Sequence, residues 1–145
     1  MKGIWLFILT GIFFTAACEK APFGTTDVAC SCAPPPDSAT VTVDYGKKAT
    51  VYKCCENEIN IAFAKVLQDS RCPTGVACPW QGTAIIGITV NDEDLITAIE
   101  INNPITKKIL GINYSIQLLE LNPYPDSSGP VNPNAYKAKI MLKKG

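Results

Sequence analysis

Residues 59–90, INIAFAKVLQDSRCPTGVACPWQGTAIIGITV, decide the fold. Ile59, Ile61 and Phe63 alternate with smaller or polar neighbours, which is the period-two pattern of a strand with one buried face. A strand is expected over Ile59 to Leu67 and another over Thr83 to Val90. Between them lies DSRCPTGVACPWQG, residues 69–82. Pro73 and Gly75 shape a turn that can bring the Cα atoms of Cys72 and Cys78 within the roughly 4.4–6.8 Å of a disulfide. Asp69 and Ser70 are placed to accept backbone hydrogen bonds where the strand ends. Trp80 is expected to cover the bridge, and Arg71 to pair with Asp69 or reach carbonyl groups. The functional alternative is that Arg71 and Trp80 form a charged and aromatic tip for a partner, since both types are enriched among binding hot spots.

Outward from this stretch the chain keeps the same texture of short apolar runs separated by turn residues. Further strands are expected over Val41 to Asp44, Ala49 to Cys54, Leu95 to Ile101, Ile112 to Leu121 and Tyr136 to Leu142. Asn91-Asp92-Glu93-Asp94 reads as a hairpin turn, because it lacks the twelve-residue ligand pattern of a calcium loop. Asn103 to Gly111 reads as a helical turn or a loop. Tyr124, between Pro123 and Pro125, is expected to pack back on the sheet as a core cap. About seven short strands imply an all-β domain, a single antiparallel β-sandwich or small barrel braced by disulfides.

The N-terminus carries an address. MKGIWLFILTGIFFTAAC has a cation at Lys2, an apolar run from Gly3 to Phe14 and small residues before a cysteine, the order of an export signal. The run is shorter than the roughly 20 residues that span a bilayer. Thr15-Ala16-Ala17-Cys18 resembles a bacterial lipobox, with Thr15 standing where leucine is more usual. Residues 1–17 are therefore expected to be removed and Cys18 acylated, placing the chain in the cell envelope, on the outer membrane. Each buried methylene contributes about 0.8 kcal/mol, so two or three acyl chains hold durably. Residues 18–40, rich in proline, serine and threonine, read as a tether, and residues 41–145 as the β domain.

With Cys18 assigned to lipid, six cysteines remain: Cys30, Cys32, Cys54, Cys55, Cys72 and Cys78. An even set in an exported domain implies a disulfide framework. A bridge between the neighbours Cys54 and Cys55 would close a strained ring, so this doublet is expected to be tied to Cys30 and Cys32, in an order left open. The alternative is that these four thiolates hold zinc or copper(I), which the oxidising compartment disfavours.

Composition removes several functions. Without Lys2 the balance is 12 basic against 13 acidic groups, and Arg71 is the only arginine, so no field or fork recruits nucleic acid. The chain has no histidine, which removes histidine-dependent triads and metal sites. No Cys-x-x-Cys is present and no carboxylate pair stands out, so catalysis and a bound cofactor are not expected. What remains is a binding or envelope accessory module for a protein or glycan, an inhibitor of extracellular enzymes with a braced loop, or a thiolate metal carrier.

Ile61-Ala62-Phe63-Ala64-Lys65-Val66, Asp69-Ser70-Arg71-Cys72-Pro73, Cys78, Trp80, Gly82 and Ala84 resemble the signature of small lipoproteins of Bacteroidota. Tyr114 to Pro125 and Tyr136 to Leu142 are similar to that group's proline-tyrosine-proline corner and final strand. The resemblance spans roughly residues 47–143 and implies a lipid-anchored β domain with no particular activity. It does not extend to Cys30, Cys32, Cys54 and Cys55.

Overall fold

The computed structural model describes residues 31–93 and 96–145. Eight strands form two antiparallel four-stranded sheets. They are β1 Ser38–Asp44, β2 Lys48–Cys54, β3 Asn57–Asp69, β4 Ala84–Val90, β5 Thr97–Glu100, β6 Ile105–Ile109, β7 Ile112–Asn122 and β8 Lys137–Lys144. One sheet runs β2-β3-β4-β5 and the other β1-β8-β7-β6. The chain is thus a meander whose first strand returns to pair with its last, leaving seams between β1 and β2 and between β5 and β6. Of the two expected architectures it is the open sandwich, because no ladder crosses either seam to close a barrel.

The inner faces hold the core. Ile59, Ile61 and Phe63 of β3 and Ala84, Ile86, Ile88 and Val90 of β4 face Tyr114, Ile116 and Leu118 of β7 and Ala138, Ile140 and Leu142 of β8. Each large aliphatic side chain so buried contributes about 1.5–3 kcal/mol. Strict alternation along β3 would next place Lys65 and Leu67 inward. Two bulges prevent this: Phe63 pairs with Ile88, Val66 with Ile86 and Asp69 with Ala84. The inward set is therefore Ile61, Phe63, Val66 and Asp69, with Lys65 turned out to solvent. An extra residue in each bulge is left unpaired and re-aims the side chains that follow. A third bulge, between Leu118 and Glu120, does the same for Leu121 in β7.

The strand β6 corrects the expectation of a helical turn or loop at Asn103 to Gly111. Ile105 and Ile109 face the core side of an edge strand, and Lys107 between them keeps its ammonium on Glu93. The first strand starts at Ser38 rather than Val41. Ahead of it, Tyr52 donates to Ala33 O at 2.8 Å, Tyr114 to Pro36 O at 3.3 Å, and Lys144 N to Asp37 O at 2.7 Å. The stretch expected as tether is fastened to the sandwich wherever it is described.

Antiparallel pairing sorts the connections into two poles. One carries the 54–57 hairpin, the 91–96 turn, the start of β1 and the C-terminus. The other carries the 70–83 loop, the Asn102 turn and the 123–136 connection. At about 3.3 Å per residue, β3 separates them by roughly 40 Å.

Candidate functional site

The second pole is built around Arg71. Beyond Asp69 the β3–β4 ladder continues, with Ser70 N bonded to Thr83 O at 2.9 Å and Cys72 N to Gln81 O at 2.8 Å. Cys72 and Cys78 then close the loop as a disulfide with Cα atoms 5.9 Å apart. The pairing demands a glycine: Gly82 has φ +71°, and a Cβ there would lie 1.8 Å from Ser70 O. Thr74 N, on the loop, donates to Pro125 O at 3.0 Å and holds it against the proline corner.

Because the bulges return Asp69 to the inner face, its carboxylate lies beneath the loop and needs a cation. Arg71 supplies it in a bidentate pair, Nε to Oδ1 at 2.8 Å and Nη2 to Oδ2 at 2.7 Å. The two side chains are 4% and 10% exposed. Nη1 donates to Leu121 O, and Nη2 to Pro123 O at 3.3 Å. Tyr136, leaving a 3-10 turn at Pro133–Ala135, donates its hydroxyl to Asp69 Oδ2 at 2.8 Å. Burial pushes the Asp69 carboxyl up, but the bonds from Arg71 and Tyr136 together with the Arg71 charge outweigh it and hold it below its ordinary value. Burial and the bond to Asp69 push the Tyr136 hydroxyl up to about 12. Burial opposes the Arg71 charge, and Asp69 more than restores it, raising its pKa. One fork thus ties β3, the end of β7 and the proline corner together.

Tyr124 does not pack back on the sheet as a core cap. It stands 41% exposed, its ring 4.7 Å from the Arg71 guanidinium carbon. The tertiary amides of Pro123 and Pro125 hold it outside the sheet, and the Arg71 guanidinium attracts its face. Arg71, Gln81, Gly82, Thr83, Ile101, Asn102 and Tyr124 line a cleft of about 230 Å³.

Arg71 pairs with Asp69 and reaches carbonyls as expected, and the alternative of a tip shared with Trp80 does not describe its burial. Arg71 is spent inside on Asp69 and two carbonyls, whereas Trp80 is 73% exposed and leaves the disulfide uncovered. Asp69 and Ser70 accept backbone hydrogen bonds as expected, Asp69 Oδ1 from Arg71 N at 3.3 Å and Ser70 Oγ from Thr83 N at 3.2 Å. Tyr136, Gln81 and Asn102 are site residues the sequence did not single out. Asn102 carried one signal, the turn-forming Asn-Asn-Pro run at 102–104, and in the structure it adopts a left-handed φ of +60°.

The other cysteines gather at the opposite pole. Cys32 and Cys54 stand with Cα atoms 5.9 Å apart, within reach of a disulfide, and Cys55 joins the same cluster. The Cys55 sulfur lies 3.2 Å from that of Cys32 and 3.6 Å from that of Cys54, and all three fall within 4.8 Å of one another. Cys18 and Cys30 lie outside the described residues. Comparison with protein-family models, curated proteins and solved structures gives no match.

Proposed function

We propose that this chain is a lipid-anchored protein of the cell envelope whose sandwich is a non-catalytic binding module, displayed with its Arg71 pole away from the membrane. One observation carries the reading: Cys32 lies against Cys54 and Tyr52 holds Ala33 O at one pole, and the cleft and Trp80 belong to the loops of the other. The described chain joins the sandwich at the pole opposite the cleft, the arrangement an anchor upstream of it would use. The resemblance to small lipoproteins of Bacteroidota and the lipobox-like 15–18 stretch support the anchor. The lack of histidine, and the commitment of Asp69 to Arg71 and Tyr136, support binding over catalysis.

A second reading, inhibition of an extracellular enzyme, draws on one feature. Residues 74–80 are all exposed on a loop closed by a disulfide, which lowers the ordering entropy of docking. The thiolate-carrier alternative requires the clustered Cys32, Cys54 and Cys55 to be reduced, which an oxidising compartment opposes. Crosslinking and capture from intact cells tests the proposal. A protein or glycan captured by the native chain and lost with Trp80→Ala supports it; equal capture by both, or release of the protein from membranes by detergent-free washing, refutes it.

A further inference from the structure

The cleft at the Arg71 pole has a chemistry of its own. Its charges cancel, because Arg71 is neutralised by Asp69 through two direct bonds, and no other lining residue is ionic. That removes the attraction an anionic ligand such as phosphate or a carboxylate would need. Around the rim stand polar groups without protein partners among the described residues: the side-chain amides of Gln81 and Asn102, the Thr83 hydroxyl and the Tyr124 hydroxyl. Each amide offers donors and an acceptor together, and each hydroxyl does both. Such a set matches a ligand whose own groups both donate and accept. The Tyr124 ring, 41% exposed, and Ile101 add an apolar wall.

The walls are fixed rather than adaptable. Gly82 is locked against Ser70 O, Asn102 N donates to Leu118 O at 3.1 Å, and Tyr124 is held over the guanidinium. A preformed site loses little ordering entropy on binding. At about 230 Å³ the cleft is smaller than the roughly 300–1,000 Å³ of drug-sized sites, which suits one ring.

From these observations we infer that the cleft between Tyr124, Gln81 and Asn102 is a saccharide-binding site that takes a single neutral pyranose ring, one face against Tyr124 and its hydroxyls on the two amides. The inference rests on the binding reading above and names the ligand class of that module.

Saturation-transfer NMR on the full lipidated protein, held in a detergent without sugar headgroups, tests it. The probes are the methyl pyranosides of glucose, galactose, mannose and N-acetylglucosamine, with inorganic phosphate and acetate as anionic controls. At least one pyranoside is expected to bind with a Kd in the range of about 0.1–10 mM, as few contacts provide. Gln81→Ala and Asn102→Gly, which leave the fold intact because Gln81 is exposed and glycine suits φ +60°, are expected to weaken it about tenfold or more. Binding by no pyranoside, binding unchanged in both variants, or displacement by phosphate or acetate overturns the inference. Partner capture through Trp80 is scored separately. Absent sugar binding with intact capture removes only the cleft assignment, and absence of both removes the module reading.

Discussion

Replacing Arg71 with methionine removes the fork but keeps most of the side-chain volume. Asp69 then stays at the inner face of β3 with the Tyr136 hydroxyl and one backbone N–H, and the carbonyls of Leu121 and Pro123 lose their donor. The two hydrogen bonds to the Asp69 carboxylate alone, each worth about 1.5–3 kcal/mol, put about 3–6 kcal/mol at stake. Breaking a buried ion pair by removing one partner costs about 3–5 kcal/mol, which agrees. For a domain of this size that lowers Tm by about 12–30 °C. Urea and thermal unfolding of the disulfide-intact protein measure it. Arg71→Lys is expected to recover only part, because an ammonium cannot bridge both carboxylate oxygens and both carbonyls. Asp69→Asn combined with Arg71→Met is expected to cost at least about 2 kcal/mol less than the two singles summed. Single variants within about 1 kcal/mol of the parent, or strictly additive losses, would refute the account of Arg71 as the tie between strand and corner.

The same network sets a pH window. The Asp69 carboxyl titrates below its unfolded value of 3.8 in the fold, so its stabilisation is present above that value and fades as acid protonates it; Tyr136, raised from 10.0 to about 12, keeps its proton while the unfolded chain loses its own, so stability falls from about pH 10 upward. Unfolding free energies measured across pH 2–12 are expected to show both declines, the alkaline one shrinking in Tyr136→Phe. Gly82→Ala is expected to destabilise by about 2–4 kcal/mol, from left-handed strain of about 1–2 kcal/mol plus forced separation of Gln81–Thr83 from Ser70–Cys72, read by chemical denaturation. Mass mapping without reduction is expected to yield a Cys72–Cys78 peptide and to tie Cys54 and Cys55 to Cys30 and Cys32; free thiols at these positions would count against the framework.

The period-two runs announced the all-β fold because inner-face residues such as Ile59, Ile61, Ile86 and Ile88 follow local alternation. The strand β6 was hidden by its pair of lysines and its flanking Pro104 and Gly111. Its edge position lets Lys107 sit on the half-buried face and still reach Glu93, an allowance only the sheet order reveals. The turn chemistry around Cys72 and Cys78 was legible because proline and glycine act locally. The cleft was not, since it joins Gln81, Asn102 and Tyr124 from three separate connections, and alternation says nothing about which loops share a pole. The pairing of Arg71 with Asp69 was legible, because the two bulges of β3 cancel in parity and leave Asp69 on the face that plain alternation gives it; which carbonyls the fork reaches was not, since Leu121 belongs to the other sheet and Pro123 to the corner that follows it.

The backbone amides of Lys144 and Gly145 bond to Asp37 and Asn113, so the chain leaves the sandwich beside the place where it enters. A fluorescent reporter or affinity handle fused after Gly145 therefore stands roughly 30 Å, at about 3.3 Å per residue along β7 from Asn113 to Asn122, from the Tyr124 face and leaves it unobstructed. The same fusion crowds the base of the domain, where a short spacer is needed to keep it clear of any lipid surface.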